Sequence, residues 1–550
     1  MYMDMLGAIL YILILGISGH FAKKQPNILF IIADDYGYND IGYHGSEIKT
    51  PVLDKLAHDG VKLENYYVQP ICSPSRSQLM TGRYQIHTGI QHGIFWPLQP
   101  SGLPLGDPTL ADKLREAGYS THAVGKWHLG FFRDEYLPTR RGFDSFFGIL
   151  NGKADHYQYN DTAMDLDGMD LRDGIQKANY EYKGQYSTTL YAKKAKDIVQ
   201  KHDTEKPLFL YLSFQAVHYP LQVPDKYVKQ YQHIRDENRR LYAGMTSAMD
   251  AAVGDVVKAF KEKGILDDTL LVFTTDNGGQ VLYGGNNWPL RGWKGSLWEG
   301  GIKAVGFVHG YGVKHKKTVS KELIHVSDWF PTLVNLGGGT LDGTNALDGK
   351  DQWKTISRGA KSPRKSVLHN IDPLTPLAGE RKKGPKFDSR HRAALRHEDW
   401  KIITGDPGNG SWIHTPSNKN SAKSISYERP KAKNIWLFNI KNDPSEKHDL
   451  SEDHPDIVEK MLEMLAEYSM TSVPCYFPEN DPMADPKYHD GYWGPWVKPT
   501  ENEQLVKKPT SSQPLTYAFL SVVFLVVYCL YYRYMRHKRL CKTHPVKYKI

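Results

Sequence analysis

The stretch Asn27-Ile-Leu-Phe-Ile-Ile-Ala-Asp-Asp35 decides the fold class of this chain. From Ile28 to Ala33 it is apolar at every position instead of alternating with polar residues, which is typical of a strand buried on both faces of a parallel sheet. Two carboxylates follow at once. In an open α/β sheet, ligands bind beyond the carboxyl ends of the strands, so Asp34 and Asp35 are the first candidate site residues.

Further apolar runs alternate with amphipathic helical segments after this strand. The predicted strands are 119–124, 208–214 and 270–275, and the predicted helices are 51–59, 109–117 and 241–260. Such alternation builds a sheet that is covered on both faces. We therefore predict an α/β fold in which a large mixed, mostly parallel sheet is sandwiched by helices, over residues 25–370.

The composition of the sequence changes near Asp372. The segments become basic and rich in Gly and Pro, with short strands predicted at 400–404 and 436–440 and a closing helix around 457–468. This pattern predicts a smaller C-terminal antiparallel α+β domain over residues 371–480. Residues 481–514 are predicted to form a wrap-around segment and a stalk.

The two ends of the chain predict a secretory route. Residues 1–19 resemble a signal peptide, the alternative being an uncleaved anchor. Residues 515–532 carry no charge and at ~1.5 Å per residue span roughly 27 Å, enough for one transmembrane helix. The following basic tail, 533–550, contains no acid, which disfavours a buried core helix and indicates the cytoplasmic side. We expect a single-pass type I membrane protein of the lysosome, Golgi or cell surface.

The charge and the cysteines of the chain argue against nucleic-acid binding and against a disulfide framework. Most of the formal charge of +9 comes from the tail, so the remainder is nearly neutral and nucleic-acid binding is not expected. Of four cysteines, Cys529 lies in the predicted span and Cys541 in the tail, where either could be palmitoylated. Only Cys72 and Cys475 remain, so a disulfide framework is excluded and Cys475 is expected to be a free or intermolecular thiol. Asn160 and Asn409 begin N-glycosylation sequons.

Polar residues follow four of the predicted strands. They are Asp34 and Asp35, Lys126 and His128, His218, and Asp276 and Asn277. Three carboxylates and an amide would supply hard oxygen ligands to calcium or magnesium, and without a cation they would repel one another. The alternative for either acidic pair alone is strand-end turn chemistry.

Cys72 stands in the motif Cys72-Ser-Pro-Ser-Arg76. Pro74 suits the first turn of a helix, which places Cys72 at the helix N-terminus, where the dipole favours an anion. Arg76, one turn on, faces the same side. By itself, a cysteine in this position suggests a thiolate nucleophile.

The motif resembles more than a reactive cysteine. The C-x-P-x-R pattern resembles the signature of the sulfatase family, in which the cysteine is oxidised to formylglycine in the endoplasmic reticulum. The resemblance runs from about Asn27 to about Pro474 and is closest to the arylsulfatase B, I and J branch. It is carried by residues 33–40, 69–92, 125–130, 137–143, 275–279 and 291–301. It implies the alkaline phosphatase/sulfatase-like fold.

The resemblance also implies a site. Asp34, Asp35, Asp276 and Asn277, with the modified residue 72, would bind one calcium ion per subunit. The residues that would surround the sulfate and the nucleophile are Arg76, Lys126, His128, His218 and Lys294. A formylglycine hydrate would attack sulfur to give a covalent sulfo-enzyme intermediate, with His218 as general acid and His128 as the base that regenerates the aldehyde.

The implied function is removal of sulfate from a sugar, with N-acetylgalactosamine 4-sulfate groups of glycosaminoglycans as the first candidates. The implied partners are a sulfated carbohydrate and the formylglycine-generating enzyme; nothing in the sequence predicts the oligomeric state. Two alternatives stay open: a phosphodiesterase of the same superfamily, and a membrane-tethered protein that binds sulfated glycans without catalysis. The chain departs from its branch at Tyr136, where relatives have cysteine.

Weaker candidates lie outside this set. His87 and His92 could line the mouth of the site or serve a structural role. The basic runs 314–317 and 381–386 could guide a polysulfated chain, or form solvated loops.

Overall fold

A computed structural model describes residues 25–178, 180–382, 384–414 and 433–498 of the chain. The predicted signal peptide, transmembrane span and basic tail, with Cys529 and Cys541, lie outside these ranges. Within them, no helix combines the length and the apolar character that crossing a bilayer requires.

The described residues form eighteen strands and ten α-helices. The strands are β1 (Asn27–Ala33), β2 (Val61–Leu63), β3 (Tyr66–Tyr67), β4 (Ser120–Lys126), β5 (Ser145–Ile149), β6 (Asn160–Ala163), β7 (Leu166–Met169), β8 (Arg172–Asp173), β9 (Gln176–Lys177), β10 (Leu208–Ser213), β11 (Thr269–Thr275), β12 (Gly306–Gly310), β13 (Thr318–Ser320), β14 (Ile324–His325), β15 (Ser366–Asp372), β16 (Arg392–His397), β17 (Trp400–Thr404) and β18 (Ile435–Asn439). The helices are α1 (Pro51–Asp59), α2 (Cys72–Thr81), α3 (Leu110–Glu116), α4 (Ser187–Lys201), α5 (Asp225–Val228), α6 (Glu237–Glu262), α7 (Glu299–Ile302), α8 (Trp329–Leu336), α9 (Trp353–Arg358) and α10 (Pro455–Met470).

One large sheet organises the molecule. Its ten strands lie in the order β13-β2-β12-β11-β1-β10-β4-β5-β8-β9. The central strands β11, β1, β10, β4 and β5 are parallel, while β12 and β8 flank them in antiparallel orientation. The prediction of a mixed, mostly parallel sheet is therefore confirmed.

Strand β1 lies at the centre because neither of its faces is polar. Leu29 and Ile31 pack in one core cluster with helices α1, α4 and α6, whereas Ile28 and Phe30 pack in a second cluster with α2, α3 and α8. All seven residues of β1 are buried. Helices thus cover both faces of the sheet, as the unbroken apolar run predicts.

A second, four-stranded antiparallel sheet follows in the order β15-β16-β17-β18. Helix α10 covers one face through Val458, Met461, Leu462 and Leu465. The other face packs on Leu297 and Trp298, so it rests against the segment that also carries Lys294. The predicted small antiparallel unit is present, and the domain boundaries at 370/371 and 480/481 stay predictions.

Strand β4 is longer than predicted. It was expected to end at Val124 and continues to Lys126, pairing with β5 through Gly125 and Lys126. Glycine and lysine weaken the strand signal in the sequence, but the parallel neighbours β10 and β5 supply partners on both sides.

Candidate active site

The predicted site residues meet at the carboxyl edge of the large sheet. Asp34 and Asp35 follow β1, His218 follows β10, and Asp276 with Asn277 follows β11. Lys126 is the last residue of β4, and His128 comes two residues later. Since these strands are parallel neighbours, the topology brings all of these residues to one edge.

Cys72 is the first residue of α2, as the position of Pro74 predicts. It is 2% exposed, and its Sγ lies 3.8 Å from Oδ1 of Asp34. Burial raises the pKa of the Cys72 thiol to about 12, although the positive charges of Lys126 and Lys294 oppose the shift. An unmodified Cys72 is therefore a protonated thiol at neutral pH, which disfavours the thiolate-nucleophile hypothesis.

Each of the three carboxylates has a cationic partner. Lys126 is hydrogen-bonded to Asp34, and Nζ of Lys294 lies 2.7 Å from Oδ1 of Asp35. Arg76 contacts Oδ2 of Asp276 through Nε at 3.0 Å and Nη2 at 2.8 Å. The carboxylates do repel one another, since Asp35 acts to raise the pKa of Asp34 and Asp276 that of Asp35, but these three cations offset the repulsion in the metal-free protein. The strand-end pattern revealed the acids, but the compensating cations arrive from three other places in the chain.

The fit of the site to a metal rests on its donor set. One ligand atom each from Asp34, Asp35, Cys72 and His218 lies within 4.8 Å of the others. Oδ1 of Asn277 is buried and has no hydrogen-bond partner among the described residues, while its Nδ2 donates to Oδ1 of Asp35 at 2.8 Å. An orphaned oxygen beside carboxylates suits a hard cation.

Hydrogen bonds to carbonyl groups fix the tautomers of the two histidines. Nε2 of His128 lies 3.2 Å from the Phe95 carbonyl oxygen, which can only accept, so this nitrogen carries the proton and buried Nδ1 is left without a described partner. Nδ1 of His218 donates to the Tyr219 carbonyl at 2.6 Å, and its Nε2 lies 3.5 Å from Oδ2 of Asp35.

Both histidines have lowered pKa values. Burial lowers the pKa of His128 well below its ordinary value, and the charges of Lys126, Arg76 and Lys294 add to the shift. Burial and Lys294 also lower the pKa of His218, although Asp35 and Asp34 oppose them. A neutral His128 has a free lone pair on Nδ1 and can accept a proton.

A cavity of about 720 Å³ opens above this edge. Four predicted site residues line it: Cys72, His128, His218 and Lys294. We call these four the floor of the cavity; Lys126 and the metal-ligand candidates other than Cys72 do not line the cavity. The cavity is therefore a place where a small ester could reach residue 72.

Arg76 lies beside the nucleophile position, with Nη2 3.7 Å from Oδ2 of Asp34 and close enough to Cys72 for their charges to interact, while its contact with the sulfate stays a prediction. It is 1% exposed, does not line the cavity, and donates from Nη1 to Ser213 Oγ at 2.6 Å and to the Lys126 carbonyl at 3.2 Å. Because it points down between α2 and the strand ends, it positions Asp276 and the end of β4 instead of facing the cavity.

No direct sign in the sequence marks the residues that form the cavity wall. Trp96, Met164 and Phe477 come from three chain-distant segments. Trp96 follows shortly after the cysteine motif, which is a weak signal, and the turn of the β6–β7 hairpin indicates only an exposed tip at Met164. No local pattern marks Phe477, because its role depends on where residues 472–480 pack.

The weaker candidates lie outside the cavity lining. Nδ1 of His87 lies 2.8 Å from Asp348, and Nδ1 of His92 lies 3.0 Å from Asp372, so both tie this loop to later segments. Among the described residues, neither Cys72 nor Cys475 forms a disulfide. Asn409 is buried, which disfavours glycosylation at that sequon, while glycosylation of Asn160 stays a prediction.

Comparison with known proteins gives consistent results. The sulfatase family model matches residues 26–339. Arylsulfatase J of Mus musculus is 49% identical over 490 residues, covering 88% of this chain and 82% of that protein. N-acetylgalactosamine-6-sulfatase of Homo sapiens is 30% identical over 387 residues, covering 66% and 71%. The crystal structure of Ps i-CgsB in complex with k-i-k-neocarrahexaose has a TM-score of 0.69 at 29% identity, covering 82% of this chain and 95% of that one.

The family model spans more than half of the chain, and the arylsulfatase J match extends through the small antiparallel sheet. These matches agree with the cysteine motif and with the site at the strand ends. The chain belongs to the sulfatase family of sulfuric ester hydrolases.

Proposed function

We propose that this protein removes sulfate from a sugar, using a formylglycine made from Cys72 and one calcium ion per subunit. Groups of the N-acetylgalactosamine 4-sulfate type on glycosaminoglycans are the first substrates to test. The proposal is carried by one observation: Cys72 lies at a helix N-terminus on the cavity floor, with Asp34 and two lysines around it. The printed names of the relatives, which include a sulfated-sugar hydrolase, agree with a sulfated carbohydrate.

The donor atoms of the site suit calcium by their chemistry and not only by their negative charge. Asp34, Asp35, Asp276, Asn277 and the modified residue 72 would hold it: ligand atoms of Asp34, Asp35 and residue 72 already converge, and Asn277 offers an orphaned amide oxygen. A bound calcium ion would supply positive charge beside residue 72 and lower the pKa of the oxygen it holds. Lys126 and Lys294, which are bonded to Asp34 and Asp35, would supply further positive charge beside the sulfate.

Formylglycine is proposed because the thiol is poorly suited to the reaction. With its pKa at about 12, Cys72 offers little thiolate at neutral pH. The hydrate of formylglycine would supply two hydroxyl groups on one carbon, one to attack and one to assist release.

The surrounding side chains would handle charge and protons. Lys294 faces the cavity and would counter the negative charge of the sulfate ester. His218 lies beside it on the same floor and would donate a proton to the departing alcohol. His128, with Nδ1 unpaired, would accept a proton from residue 72.

Maturation follows from the proposal. The formylglycine-generating enzyme would act on the chain in the endoplasmic reticulum, so we propose a secretory-pathway protein. Anchoring through residues 515–532 belongs to the same proposal, with the catalytic part in the lumen or outside the cell.

The decisive test combines mass spectrometry with an activity assay. The peptide that contains residue 72 is analysed in secreted protein, and sulfate release from N-acetylgalactosamine 4-sulfate is measured for the wild type and for Cys72→Ala. We expect an aldehyde or its hydrate at residue 72 and no release by the variant. Unmodified cysteine in all molecules would leave only glycan binding, and release that survives Cys72→Ala would show that the nucleophile is another residue.

Metal removal tests the calcium proposal separately. Chelation is expected to lower both sulfate release and the midpoint of thermal unfolding, and calcium is expected to restore both. Calorimetry on the chelated protein should give one binding event per subunit. Unchanged unfolding and no binding heat would contradict the assignment of this ligand set.

A further inference from the structure

The cavity has two chemically different parts. Its floor carries Cys72, His128, His218 and Lys294, where the sulfate group would bind. Its mouth is lined by large apolar side chains, of which Trp96, Met164 and Phe477 are the most exposed; we call these three the apolar wall. The sulfate group would contact the floor, and the rest of the substrate would contact the apolar wall.

The apolar wall is exposed although it is apolar. Trp96 is 50% exposed, Met164 69% and Phe477 37%. Apolar side chains gathered at the mouth of a cavity are typical of a ligand-binding surface, because a bound ligand removes their apolar surface from water, which is favourable.

Each part of the apolar wall is held by contacts to another segment. Nε2 of Gln99 donates to the Pro478 carbonyl at 2.8 Å, and the Asp481 amide donates to the Leu98 carbonyl at 2.7 Å. Nδ2 of Asn480 lies 3.0 Å from Sδ of Met164. Three segments that are far apart in sequence are therefore linked to one another, so the surface is formed before a substrate arrives.

Met164 reaches the cavity from a tight hairpin. It stands with Asp165 in the two-residue turn between β6 and β7, and both residues have positive φ angles, 50° and 64°. This is the geometry of a type I′ turn, which matches the twist of the paired strands. The hairpin therefore presents Met164 from a defined direction.

The charged residues near the apolar wall do not favour a second anion. Among the described residues that line the cavity, the charged ones away from the floor are Lys153, Asp161 and Glu479. Nζ of Lys153 lies 2.7 Å from Oδ1 of Asp161, so these two charges offset each other and Glu479 remains. An anionic group beside the ester would meet an apolar surface and a carboxylate.

We propose that the apolar wall and Glu479 determine specificity, selecting sulfate esters whose alcohol is uncharged and presents a flat apolar face. An aryl ring or the C–H face of a sugar would pack on Trp96, while Glu479 disfavours a substrate with a carboxylate or second sulfate beside the ester. This inference rests on the proposed function, because it concerns the same cavity, and it narrows that function: a sulfated ring linked to a uronic acid, as on a glycosaminoglycan, should be a poorer substrate than the free sulfated sugar.

The test compares three substrates: 4-methylumbelliferyl sulfate, N-acetylgalactosamine 4-sulfate, and a disaccharide in which the same sulfated ring is linked to a uronic acid. Trp96→Ala should raise KM about five-fold for the first two with kcat nearly unchanged, since an aromatic contact contributes on the order of 1 kcal/mol. Inhibition by inorganic sulfate should not change, because sulfate alone binds at the floor. Tyr488→Ala, an equally exposed aromatic outside the cavity, is the control.

Glu479→Gln tests the charge. It should raise kcat/KM for the uronate disaccharide about five-fold relative to the neutral substrates, which corresponds to roughly 1 kcal/mol of like-charge repulsion. Glu452→Gln, an exposed carboxyl elsewhere, should leave the ratio unchanged. Phe477→Ala replaces Trp96→Ala if the thermal unfolding of the latter is altered.

The outcomes separate the two proposals. An active wild type whose selectivity is the same in the Trp96, Phe477 and Glu479 variants overturns the role of the apolar wall and leaves the proposed function standing. A wild type that carries formylglycine but releases no sulfate from any of the three substrates overturns both.

Discussion

At the scale of single residues, the site depends on where protons are held. His128 and His218 each use one ring nitrogen to donate to a backbone carbonyl, which directs the other nitrogen elsewhere. The His128 ring also lies against Gly152, where a Cβ atom would come within 2.8 Å of its Cε1. The orientation of this imidazole is therefore set by backbone on two sides.

We predict that His128→Ala lowers kcat by about 10²- to 10⁴-fold, the usual contribution of a positioned proton acceptor. Thermal unfolding should also fall, because the variant leaves a buried cavity and removes the hydrogen bond from Nε2 to the Phe95 carbonyl, so kcat is compared at a temperature at which both proteins are folded. His122→Ala removes a half-buried histidine from β4 and should leave kcat within about two-fold, since its side chain bonds to Ser145 and neither residue lines the cavity. Equal losses in the two variants would mean that the effect comes from strand damage.

At the scale of elements, the end of β4 packs closely against the neighbouring strand β10. Gly125 has φ of +107°, and a Cβ atom there would overlap the Ser213 carbonyl oxygen of the neighbouring strand β10. The next residue, Lys126, binds Asp34, and its carbonyl accepts from Arg76. The geometry of one glycine thus determines where several site residues lie.

We predict that Gly125→Ala lowers stability by about 3 kcal/mol or more, because β10 must move in addition to the strain of a positive φ. It should also reduce sulfate release, since Lys126 moves with the strand. Gly118→Ala is the matched control: its φ is +92°, but a Cβ atom there meets nothing within 4 Å, so only about 1 kcal/mol of backbone strain is expected. Urea unfolding would check both values, and similar losses would contradict the role of the Ser213 contact.

The loop between β5 and β6 is held by a titrating residue, Asp170, which follows β7. Asp170 accepts hydrogen bonds from the amides of Leu150 and Asn151 at 2.8 and 2.7 Å, next to Gly152. Burial raises the pKa of Asp170 to about 7, although these two amides oppose the shift.

This pKa predicts a pH dependence of stability. The folded protein holds the proton more tightly than the unfolded chain, so the contribution is fully present below pH ~4 and is lost as the pH rises to ~7, up to about 4 kcal/mol. Asp170→Asn should flatten the free energy of unfolding across that window, whereas Asp173→Asn, at an exposed position, should not. Identical pH profiles for wild type and Asp170→Asn would show that Asp170 ionises normally in the folded protein.

At the scale of the whole molecule, a buried ionic cluster joins the small sheet to the large one. Lys401, in the middle of β17, donates to Glu299 of α7 at 3.0 Å and to Glu446 at 2.7 Å, and all three side chains are fully buried. The Glu299 amide also donates to Glu446 at 2.7 Å. Because α7 follows the segment that carries Lys294, this cluster supports one side of the active site from below.

We predict that Lys401→Met lowers the free energy of unfolding by about 3 kcal/mol, since it leaves buried carboxylates without their partner. Lys441→Met removes an exposed pair with Asp399 and should cost less than about 1 kcal/mol. Denaturant unfolding measures both. A Lys401→Met protein as stable as the control would mean that Lys303 and Arg396, which also act on Glu299, are sufficient.

The sequence by itself determined the features that short-range patterns encode. The unbroken apolar run of β1 predicted a central strand with both faces buried, Pro74 predicted that α2 begins at Cys72, and the residues after each strand predicted Asp34, Asp35, Asp276 and Asn277 as neighbours. These inferences succeeded because parallel strands bring their carboxyl ends to one edge, whatever lies between them in the chain.

Only the tertiary structure decided how those residues are paired and enclosed. It gave each carboxylate a cation, turned Arg76 away from the cavity, and assembled the apolar wall from Trp96, Met164 and Phe477. Periodicity describes residues a few positions apart, whereas charge compensation and cavity shape depend on distances between side chains hundreds of positions apart. Those distances are set by packing of the whole chain, so no local pattern contains them.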